Sequence, residues 1–220
     1  LRELRLEKGR IGLMEIDPRH GDYMPVNQYN TLRTELPQAE IVFTKNFLHD
    51  LVVIHSAEEL ECVRKAGKLC EDAMNAMVAR AKPGAKEYEL KAAAAAAIMD
   101  GGGDVDFLII GSTSMTNPAM VFGNPRPSLR KLSKDDVILM ELAAGYRGYS
   151  AQIGQPICVG PPPAQVQKFW DEIAKPGYLQ MVAEVKPGAP VENLRIACDF
   201  FRQKGVQSRP IHVHGIDIVT

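Results

Sequence analysis

Net charge is almost absent from this sequence: 26 Lys and Arg stand against 27 Asp and Glu, leaving -1. Such a balance provides neither a basic stripe for nucleic acid nor an acidic tail, so long-range electrostatics select no charged partner. Long apolar runs are missing too. A membrane span needs roughly 20 apolar residues, and the alanine tract from Ala92 to Ala97 is too short and too weakly apolar to serve as one. Aromatic residues make up only 6%, with Trp170 the single tryptophan. Cysteine is sparse. Cys62, Cys70, Cys158 and Cys198 have no C-x-x-C spacing and sit in apolar text, so buried free thiols in a reducing, cytoplasmic compartment are expected. What is present, 45% hydrophobic and 24% charged residues over 220 positions, is ordinary globular composition, with room for one sizeable core or two modest domains.

Residues 1 to 54 form a compositional block of their own. A strand-like run from Ile11 to Ile16, a helix pattern on Tyr29, Leu32 and Leu36 that stops at Pro37, and a second strand-like run from Ala39 to Phe43 make an α/β element. At Ser56 the text changes. Ser56-Ala57-Glu58-Glu59 is a capping box, and Leu60, Val63, Gly67, Cys70, Met74, Met77 and Ala81 then recur at spacings of three and four, as one buried helical stripe would. Lys82-Pro83-Gly84 ends that helix. A second helix from about Lys86 to Met99, a buried strand from Val105 to Gly111 and a Ser/Thr/Asn/Pro-rich loop follow.

The stretch from Val137 to Val159 predicts two apolar strands joined by a glycine-bearing turn, each carrying one polar residue, Glu141 and Gln152. A hairpin pivoting at Tyr146 and Arg147 would set these two directly opposite, with Cβ atoms about 5 Å apart. Lys186-Pro187-Gly188-Ala189 then repeats Lys82-Pro83-Gly84-Ala85, again between two helix patterns, and the later helix again ends at glycine, Gly205 after Gly101. Two structurally similar halves are expected, with a ligand cleft between them. Lys175-Pro176-Gly177 interrupts the first helix of the second half, where a break or kink is expected.

The capped helix, the K-P-G turn, the spacing of Glu141, Gly148-Tyr149 and Gln152, and the later H-x-x-G-x-D of His212, Gly215 and Asp217 together resemble the pita-bread family of methionine aminopeptidase, aminopeptidase P, prolidase and creatinase. The resemblance covers roughly residues 53 to 220. It implies an α+β pita-bread fold, a curved antiparallel sheet with helices on its outer face and two pseudo-symmetric halves. Residues 1–54 are then the end of an α/β creatinase-type N-terminal domain, and residues 55–220 a pita-bread domain cut short at its C-terminus. The start at Leu1 and the stop at Thr220, just after an apolar run, fit an internal piece of a longer protein.

In the metallopeptidase members, the resemblance implies, two Asp on the hairpin strands eleven residues apart, one His and two later Glu hold two divalent metals. Their positions here are Glu141, Gln152 and His212, and the two Glu would fall beyond Thr220. Glutamate keeps a carboxylate. Glutamine removes a charge, and an amide oxygen is a poor bridge between two cations. A dinuclear centre is therefore not expected; the alternative is one Mn, Zn or Co on Glu141 and His212. His214 offers a competing register for the functional histidine, and both could face one pocket if the segment is a strand. Phe122 stands where the family carries a substrate-contacting His, while Asn117 and Arg126 in the same loop are candidate substrate contacts.

Three functions stay open. The first is a creatinase-like or Xaa-Pro peptidase-like hydrolase of C–N bonds, amide or amidine, without the dinuclear centre. There Glu141 orients substrate or water, Gln152 hydrogen-bonds it, and His212 or His214 moves a proton. The second is a metal-dependent Xaa-Pro aminopeptidase or dipeptidase with an altered site, and the third a non-catalytic relative that binds a peptide or protein in the cleft. The expected partners are a small molecule or short peptide and a second copy of the chain, with neither nucleic acid nor membrane. The bland alternatives are a Glu141 satisfied by backbone amides or by Arg147, a structural Gln152, and His20, His49 and His55 as loop residues.

Overall fold

The computed structural model describes residues 3–14, 24–44, 50, 51, 53–119 and 125–207. The chain divides into two compact units, with the boundary between Glu61 and Cys62. The first contains strand β1 (Arg10–Met14), helix α1 (Val26–Glu35) and strand β2 (Glu40–Thr44). The two strands pair in parallel, Arg10 beside Glu40 and Met14 beside Thr44, and parallel pairing requires a crossover such as the one α1 supplies. Helix α1 stops at Leu36 because the residue before a proline is pushed out of the helical region. Among the described residues of this unit, Leu36 is the buried side chain.

Helix α2 (Ala57–Arg80) opens on the capping box: the Ser56 N–H donates to Glu59 Oε2 at 2.5 Å, and the Glu59 N–H donates to Ser56 Oγ at 3.2 Å. Its buried face is Ala66, Leu69, Cys70, Ala73, Met74 and Met77. The expected stripe is right from Cys70 onward, but Leu60 lies exposed at 37%. Helix α3 (Glu87–Asp100) buries Leu90, Ala94 and Ile98 at successive turns. Its alanine run suits the helical backbone and lets it approach closely.

These two helices pack on a sheet of β3 (Asp104–Ser114), β4 (Asp136–Tyr146), β5 (Tyr149–Gly154) and β6 (Ile157–Cys158), ordered β3-β4-β5 with β6 also on β4. All pairings are antiparallel. Leu108, Ile110, Ile138, Met140, Leu142 and Ala144 face the helices and close one core with them. Each large aliphatic side chain there stabilises the fold by about 1.5–3 kcal/mol relative to exposure.

The hairpin register differs from the sequence expectation by one residue per strand. The turn residues are Arg147 and Gly148, at φ +53° and +84°, and Tyr146 pairs with Tyr149. Two positive φ values mark a turn whose twist matches the flanking strands, and glycine at its second position favours it. Position 141 consequently faces Gly154, and position 152 faces Ala143.

The repeat is visible as local geometry. Gly84 and Gly188 both take positive φ, +89° and +78°, and the alanine N–H after each donates to the lysine carbonyl at 3.0 Å, Ala85 to Lys82 and Ala189 to Lys186. The helices that follow, α3 and α6 (Val191–Gln203), start at the same offset from their motifs.

The proline does not break the helix. Helix α4 (Ala164–Phe169) runs through a π-helical turn, Trp170–Ala174, into α5 (Lys175–Glu184). The Lys175 N–H reaches the Trp170 carbonyl five residues back, so a widened turn lies just before the residue that has no N–H to give. Gly177 is buried, and a Cβ there would lie 2.3 Å from Phe201 Cζ of α6. It is the point of close approach between α5 and α6.

Candidate functional site

Strand β4 alternates strictly over its middle. Ile138, Met140 and Leu142 are buried against the helices, while Val137, Leu139 and Glu141 are half-buried on the opposite face. Glu141 lies between Ile109 of β3 and Gly154 of β5. Gln152 lies diagonally across, two residues along and on the same face, a separation that long side chains span. Its Nε2 donates to Glu141 Oε1. The two residues therefore meet, through a diagonal rather than a direct pairing.

The neighbours of Glu141 on this face are apolar. Phe107, Ile109, Leu139 and Ala143 share its face by register, and among the described residues no ion pair engages Glu141. Arg147 does not neutralise it; its guanidinium lies 5.6 Å from the Tyr146 ring, which Lys65 also approaches at 5.0 Å. A half-buried carboxylate with one amide donor keeps unused acceptor capacity, and a cationic or hydrogen-bond-donating ligand would fill it.

A second polar pair on this face was missed by sequence reasoning. The register slips between Val105 and Phe107, and Asp106 accepts a hydrogen bond from Ser150 Oγ. Gly145 makes the approach possible, since a Cβ there would lie 2.7 Å from Asp106 Oδ1. The available signal was a lone acid inside an apolar strand, V-D-F-L-I-I-G. Beside it, Cys70 Sγ bonds the Ala151 carbonyl at 3.1 Å, and burial, with help from Asp106, pushes its thiol above the ordinary 9.0. That excludes a ready thiolate at neutral pH. None of the four cysteines is in a disulfide, and Cys70 and Cys198 are buried.

The loop after β3 is tied by hydroxyls. Ser114 Oγ accepts from the N–H groups of Thr116 and Asn117 at 3.2 and 3.3 Å, and Thr113 Oγ1 accepts from the Ala119 N–H at 2.9 Å. Asn117 and Arg126 are exposed, and among the described residues no hydrogen bond joins either to Glu141 or Gln152. Phe122, His212 and His214 lie outside the described residues, as do His20 and His49. No cluster of three metal-ligating side chains occurs among the described residues.

An antiparallel sheet with helices on one face and a polar pair on the other is an α+β arrangement. Residues 61–219 match the model of metallopeptidase family M24, and the chain belongs to that family. It is 25% identical over 177 residues to a Xaa-Pro dipeptidase of Pyrococcus furiosus, covering 78% of this chain and 49% of that protein. An uncharacterized peptidase of Bacillus subtilis, YqhT, is 23% identical over 168 residues, covering 75% and 46%. Among solved structures, the Pyrococcus furiosus prolidase superposes with a TM-score of 0.75 at 21% identity, over 93% of this chain and 58% of that one. The X-Pro aminopeptidase of Thermotoga maritima gives 0.74 at 18% identity, over 93% and 55%. These likenesses give the α+β pita-bread fold. The chain spans about half the length of the curated relatives it matches.

The donor set on the hairpin does not fit a pair of metal ions. A bridging position needs an anionic oxygen, and position 152 presents a carboxamide whose N–H₂ end is turned toward Glu141.

Proposed function

We propose that this protein is a peptidase-type hydrolase of C–N bonds, amide or amidine, in a short peptide or small molecule, working without the two-metal centre that its resemblance to metallopeptidases implies. The observation that carries this reading is the Glu141–Gln152 hydrogen bond on the open face of the sheet. Glu141 supplies the charged acceptor that orients a substrate ammonium, amidinium or water, and Gln152 holds that carboxylate and offers its own oxygen as a second acceptor. His212 or His214 is the proton-transfer group, and Asn117, Phe122 and Arg126 belong to the substrate side. Residues 1–54 are the end of an N-terminal domain, a reading supported by their parallel βαβ unit. Four cysteines, none in a disulfide, support a reducing compartment such as the cytoplasm. No helix among the described residues is long and apolar enough to cross a membrane.

Elemental analysis of the complete protein, paired with a turnover panel of Xaa-Pro dipeptides, guanidino acids and cyclic amidines, tests this. Less than one tightly bound divalent ion per chain with turnover of one panel class is the expected result. Two bound ions would overturn the metal-free reading. Metal-free protein with no turnover would move the chain to the alternative, a relative that binds a peptide in its cleft without catalysis.

A further inference from the structure

One carboxylate in the core is not used by this site. Glu87, the first residue of α3, is 4% exposed and is met on both oxygens. Oε1 accepts from the Ser112 N–H at 2.8 Å and from Ser112 Oγ at 2.6 Å. Oε2 accepts from the Ser128 N–H and from Ser128 Oγ, both at 2.7 Å. Ser112 is near the end of β3, and Ser128 is where the chain returns from the loop. The two feet of the segment 113–127 are thus fastened to a single side chain. Asn117 and Arg126, both assigned above to the substrate side, lie between those feet.

The fastening is braced from behind. Arg130 Nη1 donates to Ser112 Oγ at 2.6 Å, and the same guanidinium grips Asp136 with two bonds of 2.6 and 2.8 Å. Asp136, 1% exposed, also accepts from the Ser133 N–H at 2.6 Å. A single line of bonds therefore runs from the N-terminus of α3 through β3 and the returning loop to the first residue of β4. The Gly84 N–H to Leu132 carbonyl and Leu132 N–H to Ala85 carbonyl bonds, both 2.8 Å, hold the returning chain against the K-P-G turn as well.

Stability alone is a poor account of this arrangement. Buried ionic groups replaced by well-packed apolar ones commonly leave a protein as stable or more so. What a doubly anchored carboxylate adds, and apolar packing does not, is a fixed direction for each donor. We propose that Glu87 is a positioning residue, a clasp that fixes Ser112 and Ser128 and, through them, the described flanks 113–119 and 125–127 that carry Asn117 and Arg126. This rests on the proposed function for what the loop does, and on geometry alone for the clasp itself.

The experiment is hydrogen exchange on the complete protein as wild type, Glu87→Gln and Ser128→Ala, together with steady-state kinetics on whichever panel substrate the wild type turns over. Glu87→Gln places an N–H₂ against donors at one foot. The expected result is exchange at least 10-fold faster at the amides of Ser112, Ser128, Thr116, Asn117 and Ala119, with the amides of Leu142 to Ala144 in β4 unchanged. KM should rise at least 5-fold with kcat within 2-fold of wild type. Ser128→Ala, which keeps the backbone bond, should show the same pattern more weakly, and Ser128→Thr should restore it. Uniform loss of protection across β4, or no change at the two feet, would overturn the clasp. Local exchange gains with an unaltered KM would overturn its role at the substrate side. If no wild-type turnover exists, the proposed function fails while the exchange result still decides the clasp.

Discussion

A carboxamide at position 152 removes one negative charge from the face that carries Glu141, and the hydrogen bond between the two side chains is the consequence. Gln152→Asp would set two carboxylates diagonally across one apolar face, where like charges raise the pKa of one unless a cation intervenes. The expected outcome is uptake of Mn, Zn or Co by the variant, read by calorimetric titration, with binding at least 10-fold tighter than in wild type. Equal affinity would show that position 152 does not control metal binding. Asp136 is governed by a different balance. Burial raises its pKa, but the bonds from Arg130 and the Ser133 N–H outweigh this and hold it below the ordinary 3.8. Its contribution is accordingly present above that value and lost as pH falls through the lowered one. Asp136→Asn should cost about 2 kcal/mol at pH 7, toward the low end for a buried pair because the Arg130 side chain keeps 37% of its exposure. Denaturant titrations at pH 7 and pH 3 check this: the wild-type advantage should shrink at the lower pH.

At the level of the element, one local conformation carries stored cost. Arg147 occupies the first position of a two-residue turn at φ +53°, where a residue other than Gly, Asn or Asp is disfavoured by about 1 kcal/mol. Arg147→Asn should therefore raise stability by about 0.5–1 kcal/mol, seen as a melting temperature higher by a few degrees. Gly177 presents the reverse case. The Phe201 ring fills the space a Cβ would need, so Gly177→Ala should destabilise by about 1–3 kcal/mol, as overpacking does. Combining it with Phe201→Leu should recover part of that loss in a double-mutant cycle, and strict additivity would mean the two residues do not share the contact. The proline beside it shows how sequence punctuation can mislead. Pro176 predicts a break or a kink; the chain does not break but widens one turn into a π-helix and continues.

Over the whole molecule, the two helix pairs are not equally covered. Helices α2 and α3 close a core with the sheet, whereas Leu179 and Val182 of α5, Val185 just after it, and Val191 and Ile196 of α6 are exposed. Exposed apolar side chains on this scale favour association. These 220 residues expressed alone are expected to bind a hydrophobic dye and to self-associate at micromolar concentration, by fluorescence and light scattering. A monomeric, dye-negative chain would contradict that reading.

The sequence by itself determined what depends on short-range pattern. The capping box, the helical stripe from Cys70 onward, the repeated K-P-G turn and the presence of Glu141 and Gln152 on an apolar hairpin are each written within a few residues, because local sterics and hydrogen bonds decide them. The family was legible for the same reason, through spacings within single elements. Only the tertiary structure decided the rest. The hairpin register moved by one residue on each strand because turn twist, rather than the position of polar residues, selects which two residues pivot. Asp106 reaches Ser150 only because a bulge turns it and Gly145 leaves the space. Glu87 finds Ser112 and Ser128 across 25 and 41 residues of chain, a distance over which no local pattern carries information and only packing brings donors to an acceptor.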